Sequence, residues 1–335
     1  MSKKILITGA GGFIGSFMVE EALRKGFEVY AGVRSSTNLE YLQDERINFI
    51  TLNFADKIEL KREIDEFCKT NGKWDYIIHN LGVTKTLDPM VFDKINFVYL
   101  KTFVDALIET ENVPKKFIYM SSLSAWRTDT KETFPIDDKE HPYPSSAYGR
   151  SKLRSELYLR SLKSFPFVTI RPTGVYGPRE KDYLEMIKLI KNGLDVTVGF
   201  EEQRLTFIYV KDLVKAVFLA LEKGKVGEGY FITDGVEYYT QKDFRLLVSK
   251  ALGKKLVLPI VVPLAICKFV CNCSEALAGD KEVPVLNKDK FQILKQRNWT
   301  CDTSKTANDL EFTADYDLEK GVNECISWYK EKGWL

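Results

Sequence analysis

The sequence predicts an α/β protein: a doubly wound parallel sheet with a smaller C-terminal α/β lobe. Three observations predict it. Short apolar runs alternate with amphipathic stretches through the first half of the 335 residues, which is the pattern of parallel strands joined by crossover helices. The first run ends in a glycine-rich turn, Gly9-Ala10-Gly11-Gly12-Phe13-Ile14-Gly15, that leads directly into a helical repeat of apolar residues. The length corresponds to about two domains, which leaves room for a second lobe.

Lys4 to Thr8 reads as the first strand. Ile14, Phe17, Met18 and Ala22 recur at helical spacing, and Gly26 supplies a stop. Phe27 to Val33 and Ile47 to Leu52 read as the second and third strands, followed by a charged helix over Lys57 to Lys69. Asp75 to His79 is a fourth strand, Val91 to Glu109 a helix, and Lys116 to Met120 a fifth strand. Phe167 to Arg171 and Tyr230 to Thr233 extend the same sheet, while Tyr183 to Asn192 and Gln241 to Leu252 read as helices. Thr128 to Ser146, rich in Pro, Asp and Lys, reads as a loop over the site. Phe312, Tyr316, Trp328, Tyr329 and Trp334 are expected to pack the C-terminal stretch as an ordered end.

Composition narrows the function. Lys plus Arg is 49 and Asp plus Glu is 47, a net charge of +2, with no long run of one sign, so nucleic acid is not an expected partner. Two His and six Cys without a CxxC pair argue against zinc and against a disulfide framework, and point to free thiols in a reducing cytoplasm. Cys267, Cys271 and Cys273 cluster without a neighbouring His and read as helix packing, so no metal is expected. The start, Met1-Ser2-Lys3-Lys4, does not resemble a signal peptide. The longest strongly apolar run, Leu256 to Cys267, is interrupted by Pro259 and Pro263 and flanked by Lys255 and Lys268. It falls short of the roughly 20 residues of a membrane helix. No integral membrane segment is expected, and peripheral membrane contact at this run stays open.

The glycine turn carries the first chemical signal. Gly9, Gly12 and Gly15 stand between a strand and a helix, where unpaired N–H groups and the positive end of the helix dipole favour a pyrophosphate. In such a loop the first glycine allows the turn, the second lets backbone approach phosphate, and the third lets helix pack on strand. Phe13 and Ile14 supply the N–H groups of that first turn. The end of the second strand discriminates between cofactors. Val33 stands where a carboxylate would bind the ribose hydroxyls, and Arg34, Ser35 and Ser36 follow. A guanidinium pairs with a 2′-phosphate and a carboxylate repels it, so NADP is the preferred cofactor, with NAD retained as the alternative.

Tyr148 and Lys152 are four residues apart at the start of a helix capped by Ser145 or Ser146, which puts them on one face. A nearby ammonium, together with a cationic nicotinamide ring, favours the phenolate. Tyr148 then exchanges a proton with an alcohol or a carbonyl. The fifth strand ends in Ser121-Ser122-Leu123-Ser124, which offers a hydroxyl for the substrate oxygen.

With these residues in view, the chain resembles the extended short-chain dehydrogenase/reductase family, the NAD(P)-dependent epimerase/dehydratase group. The resemblance rests on residues 8–15, on Ile78-His79-Asn80-Leu81-Gly82, on Tyr119-Met120-Ser121-Ser122, on Tyr148 to Lys152, on Arg171 to Pro178 and on Phe207 to Asp212, in family order. The ending from Trp328 to Trp334 is similar to members near dihydroflavonol reductases and hydroxysteroid dehydrogenases. The resemblance implies a Rossmann domain over residues 1–172 plus 206–234 and a substrate lobe over 173–205 plus 235–335. It makes Tyr148 the acid/base, Lys152 its partner and ribose ligand, and Ser122 the catalytic hydroxyl, with Ser121 and Ser124 close enough to compete for that place. It implies that Asn96 supports the site, that Asn53 with Phe54 meets adenine, that Leu81 and Gly82 line the adenosine side, and that Pro172 and Val175 flank the nicotinamide. Thr84, Ser124, Tyr148 and Arg179 are the expected substrate contacts. Family dimers pair through the Tyr-bearing helix and its neighbour, so a homodimer is expected.

The substrate follows from departures. Nucleotide-sugar enzymes of the family usually carry Asn where this chain has Gly174, and its dehydratases carry an Asp-Glu pair where Leu123 and Ser124 stand. Hydride transfer with a small carbonyl or alcohol substrate therefore leads. Nucleotide-sugar epimerisation through a transient ketone is the alternative, and a cofactor-sensing protein without turnover is a third reading. His79 and His141 read as packing and loop residues.

Overall fold

The computed structural model describes residues 2–126, 134–278, 284 and 286–335. Its centre is a seven-stranded sheet. In chain order the first half runs β1 (Lys4–Thr8), α1 (Phe13–Arg24), β2 (Glu28–Gly32), β3 (Asn48–Ile50), α2 (Lys57–Asn71), β4 (Tyr76–His79), α3 (Pro89–Phe92), α4 (Tyr99–Glu109), β5 (Lys116–Met120) and α5 (Ala147–Ser161). The second half runs β6 (Phe167–Pro172), β7 (Gly174–Tyr176), α6 (Asp182–Lys191), β8 (Leu194–Val198), β9 (Phe207–Tyr209), α7 (Val210–Lys223) and β10 (Gly229–Ile232). It ends with α8 (Gln241–Leu252), β11 (Leu258–Val262), α9 (Leu264–Ala278), α10 (Lys288–Leu294), α11 (Ser304–Leu310) and α12 (Leu318–Glu331).

The sheet order is β10-β6-β5-β4-β1-β2-β3, and its pairings are parallel. The chain winds outward from β1 through β2 and β3, then returns to the other side through β4. The carboxyl ends of β1 and β4 thus flank the switch point, where open α/β sheets form a crevice. Helices cover both faces, so the strands are apolar runs rather than alternating ones: Ile5, Leu6 and Ile7 are all fully buried. Ile5 and Ile7 pack with Met18, Val217 and Phe218 on one side, while Leu6 packs with Phe103 and Leu107 on the other.

The expected elements are present with shifted ends. The second and third strands are shorter than Phe27 to Val33 and Ile47 to Leu52, because Val33 and the residues after Ile50 leave the sheet to line the crevice. The helix expected over Val91 to Glu109 begins at Pro89, where the Asp88 side chain caps the Met90 N–H at 2.9 Å. It carries a π-helical segment over Asp93–Val98, an irregularity frequent at functional sites. Of the expected loop from Thr128 to Ser146, residues 128–133 lie outside the described residues; the remainder touches the C-terminal lobe through an Ile136–Cys301 bridge.

A second core gathers Tyr176, Leu184, Phe207, Phe244, Leu318 and Tyr329. Two small parallel sheets, β7 with β9 and β8 with β11, frame it. The Tyr329 hydroxyl donates to the carbonyls of Gly177 and Glu180 at 3.0 and 2.8 Å, and its ring stacks on Trp334, which anchors the C-terminal end as expected.

Candidate active site

A continuous cleft of about 2210 Å³ starts at the glycine turn and at Arg34 and Asn53, passes Ser122, Tyr148 and Lys152, and enters the C-terminal lobe. At its head the backbone geometry requires glycine. Gly9 has φ 67°, and a Cβ there would lie 2.8 Å from the Asn80 carbonyl oxygen, so the turns after β1 and β4 meet closely. A Cβ on Gly15 would collide with the Gly9 carbonyl. Gly12 is the N-cap of α1 and no side chain caps this helix. The first-turn N–H groups are left for an anionic ligand, as a dinucleotide pyrophosphate requires. Gly12, Phe13 and Ile14 line the cleft here.

At the adenosine end, Arg34 is exposed and its guanidinium has no carboxylate partner among the described residues. Its backbone N–H is held by the Thr37 hydroxyl at 2.9 Å. Asn53 lines the cleft but differs from the expectation. Its amide nitrogen donates to Glu59 at 2.5 Å and its amide oxygen accepts the Ala55 N–H at 3.1 Å. The amide caps its own loop. Phe54 packs edge-on against Phe103, 5.2 Å between ring centres, beside His79. Glu59 and Glu63, both on the cleft wall, were not singled out in the sequence, where they read as a solvated helix face. Burial raises the Glu63 carboxyl above its usual range.

The proton-transfer residues converge where α5 begins. Ser146 is the cap, accepting the Gly149 N–H at 2.9 Å. A Cβ on Gly149 would collide with the Ser124 carbonyl, so the helix start lies directly on the turn after β5. Lys152 is buried, donates to the Met120 carbonyl at 2.8 Å, and sits 5.2 Å from the Tyr119 ring centre and 6.0 Å from that of Tyr148. Burial lowers its pKa to about 8. The Tyr148 phenol is pushed up to about 12 by burial, with hydrogen bonding from the Ser122 side chain acting in the opposite direction. The expectation that Lys152 together with a cationic nicotinamide favours the phenolate concerns the cofactor-bound site; in the protein alone, burial dominates at Tyr148.

The structure separates the three candidate serines. Ser121 also borders the cleft, but its hydroxyl is taken up by Glu156, to which it donates at 2.6 Å beside the buried Glu156–Arg171 pair at 2.8 Å. Ser122 faces the cleft, and its hydroxyl accepts the Ser124 N–H at 3.1 Å. Ser124 also lines the cleft. Asn96, in the π-helical segment, accepts the Val83 N–H at 2.8 Å and donates to Ser151 at 2.9 Å. It ties the turn carrying Leu81, Gly82 and Thr84 to α5. A Cβ on Gly82 would lie 3.2 Å from the Lys152 Nζ, so this turn covers the lysine closely.

Asp289 was missed in the sequence. From α10 it accepts the Ala147 N–H at 2.6 Å, and hydrogen bonding from the Tyr148 backbone reaches it as well. His79 is fully buried, with Nδ1 3.1 Å from the Thr8 hydroxyl; burial and the nearby Lys152 charge lower its pKa to about 3, so it is a neutral packing residue.

At the substrate end, a Cβ on Gly174 would collide with the Tyr183 hydroxyl and lie 3.4 Å from the Phe207 ring. Pro172, Val175 and Thr84 line the cleft between this point and Tyr148. Lys85 pairs with Asp182, which also faces Lys290 at 3.5 Å, on the same wall. Beyond them the wall is mixed: Met186, Leu189, Val196, Leu205 and Ile293 stand among Glu185, Lys188, Asn192, Gln203 and Gln241. Arg179 departs from its expected role. Its two terminal nitrogens donate to Ser16 at 2.8 Å and Glu20 at 2.6 Å, and its guanidinium lies 4.2 Å from the Phe17 ring centre and 4.4 Å from that of Tyr41. It braces α1 at the phosphate end and is not a free charge for substrate.

Comparison with known proteins agrees with this architecture. The sequence profile of the NAD dependent epimerase/dehydratase family matches residues 5–233. A sterol-4-alpha-carboxylate 3-dehydrogenase (decarboxylating) of Dictyostelium discoideum is 23% identical over 96% of this chain and 99% of its own length. The human dTDP-D-glucose 4,6-dehydratase is 27% identical over 70% of each chain. The crystal structure of a Thermotoga maritima UDP-glucose 4-epimerase with UDP-glucose superposes with TM-score 0.77 at 23% identity, covering 98% of this chain and 99% of the other. A Bacillus anthracis dTDP-glucose 4,6-dehydratase in complex with NAD gives TM-score 0.77 at 19% identity, covering 100% of this chain and 98% of the other. With the profile spanning the glycine turn, the serine turn and the Tyr148–Lys152 pair, the chain belongs to the NAD-dependent epimerase/dehydratase family of enzymes, extended short-chain dehydrogenase/reductases that bind a nicotinamide dinucleotide.

Proposed function

We propose that this enzyme transfers hydride between a nicotinamide cofactor and an apolar alcohol or ketone, with residues 1–172 plus 206–234 holding the cofactor and 173–205 plus 235–335 the substrate. The observation that carries this reading is the junction of Ser122, Tyr148 and Lys152, from which the cleft runs on to Met186, Leu189, Val196, Leu205 and Ile293. A bound nicotinamide supplies or accepts the hydride. In the reducing direction the Tyr148 hydroxyl gives its proton to the carbonyl oxygen as that oxygen gains charge, and Ser122 donates a hydrogen bond to the same oxygen. The Lys152 ammonium stabilises the phenolate left behind. In the oxidising direction the proton moves from the alcohol to Tyr148. Burial pushes the Tyr148 phenol up to about 12 against the Ser122 hydrogen bond, so forming the phenolate calls for nearby positive charge, which Lys152 would supply from the protein side.

Arg34 at the end of β2, free of carboxylate partners among the described residues, supports NADP over NAD. A Bacillus anthracis dTDP-glucose 4,6-dehydratase and a Bacillus cereus UDP-glucuronic acid 4-epimerase are solved with NAD, so titration with both cofactors is the test of this preference. Val98, Ile108 and Leu157 are exposed apolar residues around α4 and α5 and support a homodimer through that pair of helices.

A second reading is nucleotide-sugar epimerisation, favoured by the Thermotoga maritima epimerase with UDP-glucose. Against it stands Gly174, which offers no side-chain donor, while the Tyr183 hydroxyl occupies the space into which a side chain there would project. The test is a melting-temperature screen. The proposal expects no shift with millimolar UDP-, GDP- or dTDP-sugars. A clear shift accompanied by epimer formation overturns it.

A further inference from the structure

The stretch 256–278 contains two charged residues, Lys268 and Glu275, yet only Val257 of it packs against the lobe's main core. Its inner side is small: Cys267 and Cys271 of α9 pack against Phe291, with Val262 and Leu294 at the margin. Its outer side is apolar and open. Leu256 is 85% exposed, Ile266 52%, Phe269 68% and Leu277 85%, and Leu258, Ile260, Val261 and Leu264 are exposed beside them. A contiguous apolar surface of this kind marks an interaction site.

Two further features say what covers it. Lys254, Lys255 and Lys268 are exposed around the patch and have no carboxylate partner among the described residues. The patch is also continuous with the substrate end of the cleft: Val262, Val270 and Leu286 line the cleft wall, and Val270 and Leu286 are exposed at the surface as well. The apolar end of the cleft therefore opens through the apolar surface. At 15 residues α9 is short of a membrane span, but an apolar face fringed by lysines suits a helix lying in the plane of a lipid interface. A second copy of the chain fits less well, since a two-fold contact would bring the same unpaired lysines of both copies to one interface.

We propose that β11 and α9 dock this protein on an anionic lipid bilayer, with the mouth of the substrate end facing the bilayer. Docking does not depend on the reaction assigned above, and its test does not use turnover. The protein is floated with vesicles of phosphatidylcholine alone and of phosphatidylcholine with phosphatidylserine. The expected result is flotation with the anionic vesicles, weakened about fivefold for each lysine changed to Gln among Lys254, Lys255 and Lys268. Flotation is lost in Ile266→Glu and Phe269→Glu, whose side chains touch neither core nor cleft and whose melting temperatures stay at the wild-type value. Three results overturn the proposal: no flotation of the wild type, flotation unaffected by these substitutions, or a wild type that stays off vesicles and whose oligomeric state, read by sedimentation velocity, changes with Phe269→Glu. The last result assigns the surface to a second copy instead.

Discussion

The Asp289 carboxylate of α10 accepts the Ala147 N–H at 2.6 Å, so a residue of the C-terminal lobe holds the first turn of the helix that carries Tyr148. Helix starts leave N–H groups unpaired, and here the carboxylate comes from 142 residues away in sequence. The packing of α10 and the placement of the phenol therefore share this contact. Asp289 acts as a positioning residue. Asp289→Ala is expected to lower kcat about tenfold or more, since small misplacements of a reacting group are costly, with little change in cofactor affinity. Asp289→Asn, whose amide oxygen accepts the same bonds, restores most of it. Steady-state kinetics with cofactor titration check the split; an alanine variant with wild-type kcat removes the role.

Lys152 gives a pH dependence with a definite sign. Burial puts its pKa near 8 in the protein alone, so the ammonium is present below pH 8 and lost above it. An anionic cofactor binds the charged form better. The NADPH dissociation constant is expected to rise above pH 8, by up to about tenfold per pH unit, and to be flat there in Lys152→Met. Fluorescence titration from pH 6 to pH 10 measures this directly, and a flat wild-type profile contradicts it.

The proposed preference for NADP rests on Arg34. NADPH is expected to bind more tightly than NADH by about 1–3 kcal/mol, the scale of hydrogen bonds to a charged group. Arg34→Ala narrows the gap, and the gap closes further in added salt because the side chain is exposed. Equal wild-type affinities would reverse the preference to NAD.

His79 links the core to acid stability. Its folded pKa is about 3 against an ordinary value of 6.5, so between these values the unfolded chain binds the extra proton. The neutral, buried ring contributes full stability above pH 6.5, and that contribution is lost as pH falls toward 3. The loss approaches about 1.4 kcal/mol per pH unit. His79→Asn, which keeps a polar group for Thr8, should flatten this part of the profile at some cost in packing. Urea midpoints between pH 7 and pH 4.5 check it; parallel profiles for wild type and variant refute it.

Much of this was legible in the sequence because its signals are local. β5 and α8 fall on the residues read from pattern, and the glycine turn meets its strand and helix within one short stretch. Tyr148 and Lys152 share a helix face by spacing alone. What was not legible depends on partners distant in sequence. Arg179 looked available for substrate, but Glu20, 159 residues away, holds it. Asn53 looked available for adenine, but Glu59 takes its amide. Among the serines, Ser121 and Ser122 differ only in which way the chain turns them at the end of β5. α7 was not read as a helix although Val210, Leu213, Val214, Val217 and Leu221 recur at helical spacing, and α9 was hidden because it is apolar on its open side.

The central claim is that Tyr148 moves the proton in a net hydride transfer to an apolar carbonyl. The direct measurement is NADPH consumption, followed at the nicotinamide absorbance against ketone reduced, for wild type and Tyr148→Phe across a panel of apolar ketones. The account predicts equal amounts of NADPH oxidised and alcohol formed by the wild type. It also predicts a loss of about 10²–10⁴-fold in the variant, which still binds NADPH. Retention of more than about a tenth of wild-type turnover by Tyr148→Phe, or conversion of a nucleotide sugar to its epimer with no net change in nicotinamide absorbance, would contradict it.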